Sequence, residues 1–145
     1  MNFDLPFIPE RTERPRNNGL TMVMDKGLSL QSAENFLDAN GTLTDIIKLG
    51  FGTSYMTKDL KEKIKLYHNA GMKVYVGGTL FEAFVVRGMF DEYRKLMHEL
   101  NLETCEVSDG SIHLPHDEKL NFISELAKDF RVLSEVGSKE EGILI

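Results

Sequence analysis

The stretch VYVGGTLFE (74–82) decides the reading of this chain, because an apolar, β-prone run there breaks at two glycines and restarts as an apolar helix-like pattern. The same grammar recurs in MDKG (24–27), IKLGFGTS (47–54), CEVSDGS (105–111) and LSEVGSK (133–139). The segments follow one another about every 25 to 30 residues, with amphipathic stretches between them. Repeated strand-then-helix units make parallel sheets, whose chemistry gathers at the carboxyl ends of the strands. The polar clusters are therefore candidates for one shared site.

Strands are expected at 20–27, 45–52, 72–78, 103–110 and 131–137. Between them, helical stripes are carried by Leu30, Ala33, Phe36 and Leu37, and then by Leu60, Ile64 and Tyr67. Asp59 with Glu62 has capping-box spacing, and Gly71 is placed to stop that helix. Tyr93, Leu96, Met97 and Leu100 mark a longer helical region interrupted near Gly88. Pro115 suits the first turn of a last helix with the stripe Leu120, Ile123, Leu126, Ala127 and Phe130. The sum is (βα)4β, an α/β chain. It reads as an irregular arm over 1–18, holding three of the four prolines, and one domain over 19–145. An open doubly wound sheet and the first part of a barrel both accommodate this order.

Composition narrows the function. At 145 residues and 41% hydrophobic, the chain can bury one core, and a net charge of −6 argues against a nucleic-acid or anionic-membrane surface. No apolar run approaches the roughly 20 residues needed to span a bilayer. The single cysteine, Cys105, permits no internal disulfide and fits a cytoplasmic protein; its apolar neighbours make it a packing residue. His113 and His116 flank Pro115 but have no second group at zinc spacing.

Asp25, Glu106 and Glu135 stand at strand ends, with Asp109 slightly beyond. Carboxylates from separate strands suit a hard divalent cation such as Mg²⁺, and the same acids could instead cap helices or lie in solvated loops. Lys26, Lys48 and Lys139 share that level. Lys48, inside the apolar run IIKLG, either pairs with a carboxylate, binds an anion or snorkels to the rim. Gly52, Thr53, Ser54, Gly77, Gly78, Thr79 and Ser111 could offer backbone N–H and hydroxyl groups to an anion, although tight strand-to-helix turns need the same glycines.

Taken in order, MDKGL (24–28), KLGFGTS (48–54), GGTLFE (77–82), EVSDGS (106–111) and SEVGSK (134–139) resemble the phosphosulfolactate synthase family, from about Arg14 to Lys139. Phe51 stands where that family more often has tryptophan. The resemblance implies a TIM-type (β/α) barrel, here truncated to about (βα)4β, and a cytoplasmic homo-oligomer. It implies a lyase that adds sulfite to phosphoenolpyruvate with Mg²⁺, giving (2R)-phospho-3-sulfolactate for coenzyme M or sulfolactate biosynthesis. In that scheme Asp25, Glu106 and Glu135 are the metal ligands. Lys139 is the proton donor, and Lys48 and Lys26 neutralise substrate anions. The alternatives are a non-catalytic half-barrel or assembly module of the same family, or another enolate-stabilising barrel enzyme.

Overall fold

The computed structural model describes Phe3 and residues 5–137. Five short strands alternate with helices: β1 Met22–Asp25, α1 Leu30–Asn40, β2 Ile46–Leu49, α2 Thr53–Met56, α3 Leu60–Asn69 and β3 Lys73–Val76. α4 Gly78–Val85, α5 Phe90–Glu99, β4 Thr104–Val107, α6 His116–Leu126 and β5 Arg131–Ser134 complete the order. Every pairing is parallel. β1, β2 and β3 form one ladder and β4 with β5 a second, with β3 lying against β4. The chain is thus an α/β protein with parallel strands in chain order, and each strand spans four residues of the longer segment expected from sequence.

One connection gains a helix beyond the expected four, and another is interrupted near Gly88 as expected. The one-turn α2 follows Gly52, whose φ of +78° supplies the left-handed residue that starts the turn. The third connection is two helices, because the chain turns between Val85 and Phe90 through Gly88 at φ +66°. Asp59 does stand at the amino end of α3, but its side chain makes no capping hydrogen bond. Gly71, at φ +76°, ends that helix as expected, and its N–H reaches the His68 carbonyl.

Parallel pairing in register fixes which side chains share a face. Met24, Lys48 and Tyr75 lie side by side, and so do Asp25, Leu49 and Val76 on the opposite face. The second face packs on the helices. Ile47, Leu49, Val74 and Val76 are buried there with Tyr67, Phe81, Tyr93, Met97, Cys105, Val107 and Leu126. Phe81 meets Tyr93 and Phe122 edge to face, each with ring centroids 5.5 Å apart. Burial pushes the Cys105 thiol up to about 12, so it packs as a small apolar group.

Within α6 the buried face is rotated from the expected stripe. Lys119 is buried while Leu120 is exposed. The cause is polar: Lys119 Nζ donates to Asp109 Oδ1 at 2.6 Å and to the Glu135 carbonyl at 2.7 Å. This lysine ties the loop after β4 to the end of β5.

Before Met22 no described residue is in a helix or strand, yet the arm is tied down by arginines. Arg14 donates to the Gly41 carbonyl at 2.7 Å and the Ala70 carbonyl at 3.1 Å, the residues that follow α1 and α3. A cation at each of these helix carboxyl ends satisfies orphan carbonyls and opposes the helix dipole. Arg11 reaches the Leu43 carbonyl at 3.0 Å, and Arg16 Nε lies 3.0 Å from Asp45 Oδ1.

Asp25 faces this helical layer and is only 3% exposed. Its Oδ1 accepts from the Gly27 and Leu28 N–H groups, each at 2.8 Å, and its Oδ2 accepts from Tyr67 Oη at 2.9 Å. Lys63 Nζ, buried, lies 2.9 Å from the same Oδ2 and donates to the Leu28 carbonyl. Burial acts to raise the Asp25 pKa, but the bonds from Lys63, Leu28, Gly27 and Tyr67 outweigh it and hold the carboxyl below its ordinary value. Removing one partner of a buried pair strands the other charge, so Lys63→Met should cost about 3–5 kcal/mol in urea unfolding. Because the folded pKa is depressed, this stabilisation is present above the unfolded value of about 3.9 and fades as pH falls through the folded one. Unfolding profiles should therefore show a shallower acid limb below about pH 4 for Asp25→Asn than for the parent.

Candidate functional site

On the other face of the sheet, Lys48 projects from the middle of β2 and meets Glu106 of β4, with Nζ 2.8 Å from Oε1. Both side chains are largely buried, at 16% and 5% exposure. Lys48 Nζ also stands 5.9 Å from the Tyr75 ring centroid. Of the alternatives open for Lys48, the structure shows pairing with a carboxylate, from a partner 58 residues away.

Two glycines make the approach possible. A Cβ on Gly77 would lie 3.1 Å from Lys48 Cε. On Gly78 it would lie 2.6 Å from Ser108 Cβ and 3.3 Å from Glu106 Cγ, a clash with atoms close to the β4 backbone. The pair Gly77–Gly78 thus lets β4 close on the start of α4. Directly beneath, Glu82 is 1% exposed; its Oε1 accepts from the Ser108 hydroxyl and its Oε2 from the Ser111 N–H at 3.1 Å. One buried carboxylate of α4 so fixes both sides of the SDGS turn.

Glu106 carries the strongest electrostatic tension. Burial raises its pKa, Lys48 opposes that rise, and the nearby negative Glu135 adds to it. Its Oε2 is buried without a hydrogen-bond partner among the described residues. Burial and the charges of Glu106 and Glu135 likewise push the Tyr75 hydroxyl well above its ordinary pKa. Lys48, Tyr75, Glu106 and Glu135 form one polar cluster where β2, β3, β4 and β5 converge.

Asp25 is not part of it. Expected to be the third ligand beside Glu106 and Glu135, it points to the helical face and spends both oxygens on Gly27, Leu28, Tyr67 and Lys63. Among the described residues no three His, Cys, Asp or Glu side chains gather as a metal-holding group. The physical reason is strand parity, since Asp25 pairs with Leu49 rather than with Lys48.

The remaining expected residues fall at the same ends of the strands. Lys26, Gly52 and Thr53 line a cavity of about 600 Å³ with Phe51, Lys58 and Lys63, where β1 and β2 give way to their loops. Thr53 and Ser54 are buried in the first turn of α2, Thr79 is half-buried in α4, and Ser111 is exposed in the loop after β4. Lys139 lies outside the described residues. His113 and His116 are exposed, and no described helix is long and apolar enough to cross a membrane.

Sequence reasoning passed over Lys63, Tyr75, Glu82 and Lys119. For Lys63, Tyr75 and Glu82 the signal is shared: each is a polar residue at a position its own periodicity marks as buried, whereas Lys119 lies beside the expected stripe. Lys63 lies between Leu60 and Tyr67 on one helical stripe, and Glu82 interrupts the apolar run LFEAFVV.

Comparison with known proteins agrees with this arrangement of motifs. The family profile described as (2R)-phospho-3-sulfolactate synthase (ComA) matches residues 9–143. A phosphosulfolactate synthase of Methanocaldococcus jannaschii is 46% identical over 125 residues, 83% of this chain and 49% of the relative. Those of Methanothermobacter thermautotrophicus and Bacillus subtilis are 39% and 35% identical, over 91% and 92% of this chain and 52% and 53% of the relatives. The chain spans about half the length of the curated relatives it matches. On the extent of these matches, the chain belongs to the (2R)-phospho-3-sulfolactate synthase family.

Proposed function

We propose that this chain contributes the first half of a TIM-type barrel that adds sulfite to phosphoenolpyruvate, forming (2R)-phospho-3-sulfolactate. The observation carrying this reading is the buried Lys48–Glu106 pair, with one Glu106 oxygen left without a partner among the described residues and Glu135 nearby, at the carboxyl ends of parallel strands. Active sites of (β/α) barrels are built at that end.

The residues suit the reaction. Sulfite attack on the terminal methylene drives negative charge toward the substrate carboxylate, so cations must stand ready where the charge develops. Lys48 supplies one, held by Glu106 in a largely buried setting where its charge is weakly screened. Lys26, exposed on the neighbouring cavity with the Gly52 and Thr53 turn, supplies another for the phosphate or for incoming sulfite. Lys139 is the proposed donor of the proton that completes the adduct. Glu106 and Glu135 fit a hard divalent cation, since a buried carboxylate oxygen without a partner beside a second carboxylate is an oxygen donor set. Mg²⁺ held there would supply further positive charge for the substrate carboxylate. Asp25 is assigned instead to holding the loop after β1.

A second reading, an assembly module without turnover, is favoured by the exposure of Met22 and Met24, 46% and 42%, on the Lys48 face of β1. Sulfite-dependent loss of phosphoenolpyruvate with Mg²⁺ separates the two. Turnover supports synthesis, and a folded sample without turnover supports the module. In an active sample, Lys139→Ala should lower kcat about 100-fold or more with little change in substrate binding, as loss of a general acid does. Unchanged kcat would remove Lys139 from the mechanism. Glu106→Gln should raise the Mg²⁺ concentration for half-maximal rate, and an unaltered Mg²⁺ dependence would remove Glu106 as a ligand.

A further inference from the structure

The other end of the strands holds a second cavity, of about 580 Å³, in which positive charge is concentrated although the whole chain carries −6. Arg14, Arg16, Lys73 and Arg131 line it, and Asp45 is the one acid among the lining residues. Asp45 is already engaged. It accepts from the Thr21 N–H at 2.8 Å and lies 3.5 Å from Arg11 and 3.0 Å from Arg16. Arg14 is spent on the Gly41 and Ala70 carbonyls.

Arg16, Lys73 and Arg131 keep unspent donors, Arg16 although its Nε faces Asp45. The Arg16 side chain is only 4% exposed, and its Nη1 is buried with no hydrogen-bond partner among the described residues. A buried guanidinium N–H without an acceptor is costly, so such a group marks a place where an acceptor belongs. Lys73 opens β3 and Arg131 opens β5; both are exposed, and neither forms an ion pair among the described residues. Lys73 lies two residues before Tyr75 on the same strand face, about 7 Å along the strand from the Lys48 cluster.

We infer that this cavity is a second anion site, distinct from the one at the carboxyl ends, which takes a phosphate group, free or as the phosphomonoester of a small organic acid. Arg16 presents a planar N–H donor from within the wall, and Lys73 and Arg131 close on the anion from two strands. Occupancy would satisfy Arg16 Nη1 and relieve the mutual repulsion of three cations. The inference stands on this cavity alone and does not depend on the proposed reaction.

The test is titration of the ¹⁵N-labelled chain with inorganic phosphate at constant ionic strength, followed by amide shifts. Saturable shifts should centre on Lys73, Gly71 and Arg131. Lys73→Gln and Arg131→Gln, which break no described contact, should each weaken binding about tenfold, whereas Lys61→Gln, at an exposed lysine of α3 outside both cavities, should leave it unchanged. A phosphomonoester that competes at the same residues, more tightly than phosphate, identifies the organic ligand; one that binds no better identifies free phosphate. Absence of saturable shifts at Lys73, Gly71 and Arg131 at millimolar phosphate, or binding that Lys61→Gln weakens as much as the other two variants, would overturn the assignment.

Discussion

The Lys48–Glu106 ion pair joins two ladders that share no backbone pairing among the described residues. β1, β2 and β3 are zipped by main-chain hydrogen bonds, as are β4 and β5, whereas β3 lies against β4 without a ladder between them among the described residues. A charged pair in that position is costly to desolvate, and it is tolerated only where geometry and further polar partners compensate. Here compensation is incomplete, because Glu106 keeps a buried oxygen without a donor among the described residues. A site that leaves part of its own electrostatics unsatisfied is one in which a ligand or cation has something to contribute.

Around that pair the chain separates two kinds of buried charge by strand parity. Asp25 and Lys63 sit on the helical face, closed by Tyr67 and two backbone N–H groups, and are saturated. Lys48, Glu106 and Glu135 sit on the other face and are not. The two acids Asp25 and Glu106 look alike in sequence, each near the end of a strand before a glycine-containing turn. Their surroundings give them opposite pKa shifts, downward for Asp25 and upward for Glu106.

This is also where sequence legibility ends. The strand and helix order and the halt at Gly71 could be read from periodicity, and one misplaced lysine, Lys48, offered pairing with an acid as one of three outcomes. The side on which Asp25 falls could not, since a strand of four residues beginning one position earlier or later exchanges its faces. The rotated face of α6 was hidden for a related reason. Leu120 promises more apolar burial than Lys119, but the lysine reaches two acceptors that only the folded arrangement of Asp109 and Glu135 brings together. Tertiary hydrogen bonds outrank local hydropathy at both places.

The arginine arm has a kinetic corollary. Arg14 grips a carbonyl 27 residues onward and another 56 onward, so its bonds cannot form until both of the helices it touches have docked. Closing loops of that size carries an entropic cost that grows only slowly with length, and it is recovered all at once when the clasp shuts. The arm thereby makes the first two strand–helix units open and close as one cooperative block, so that fraying at the tail is felt at the ends of α1 and α3.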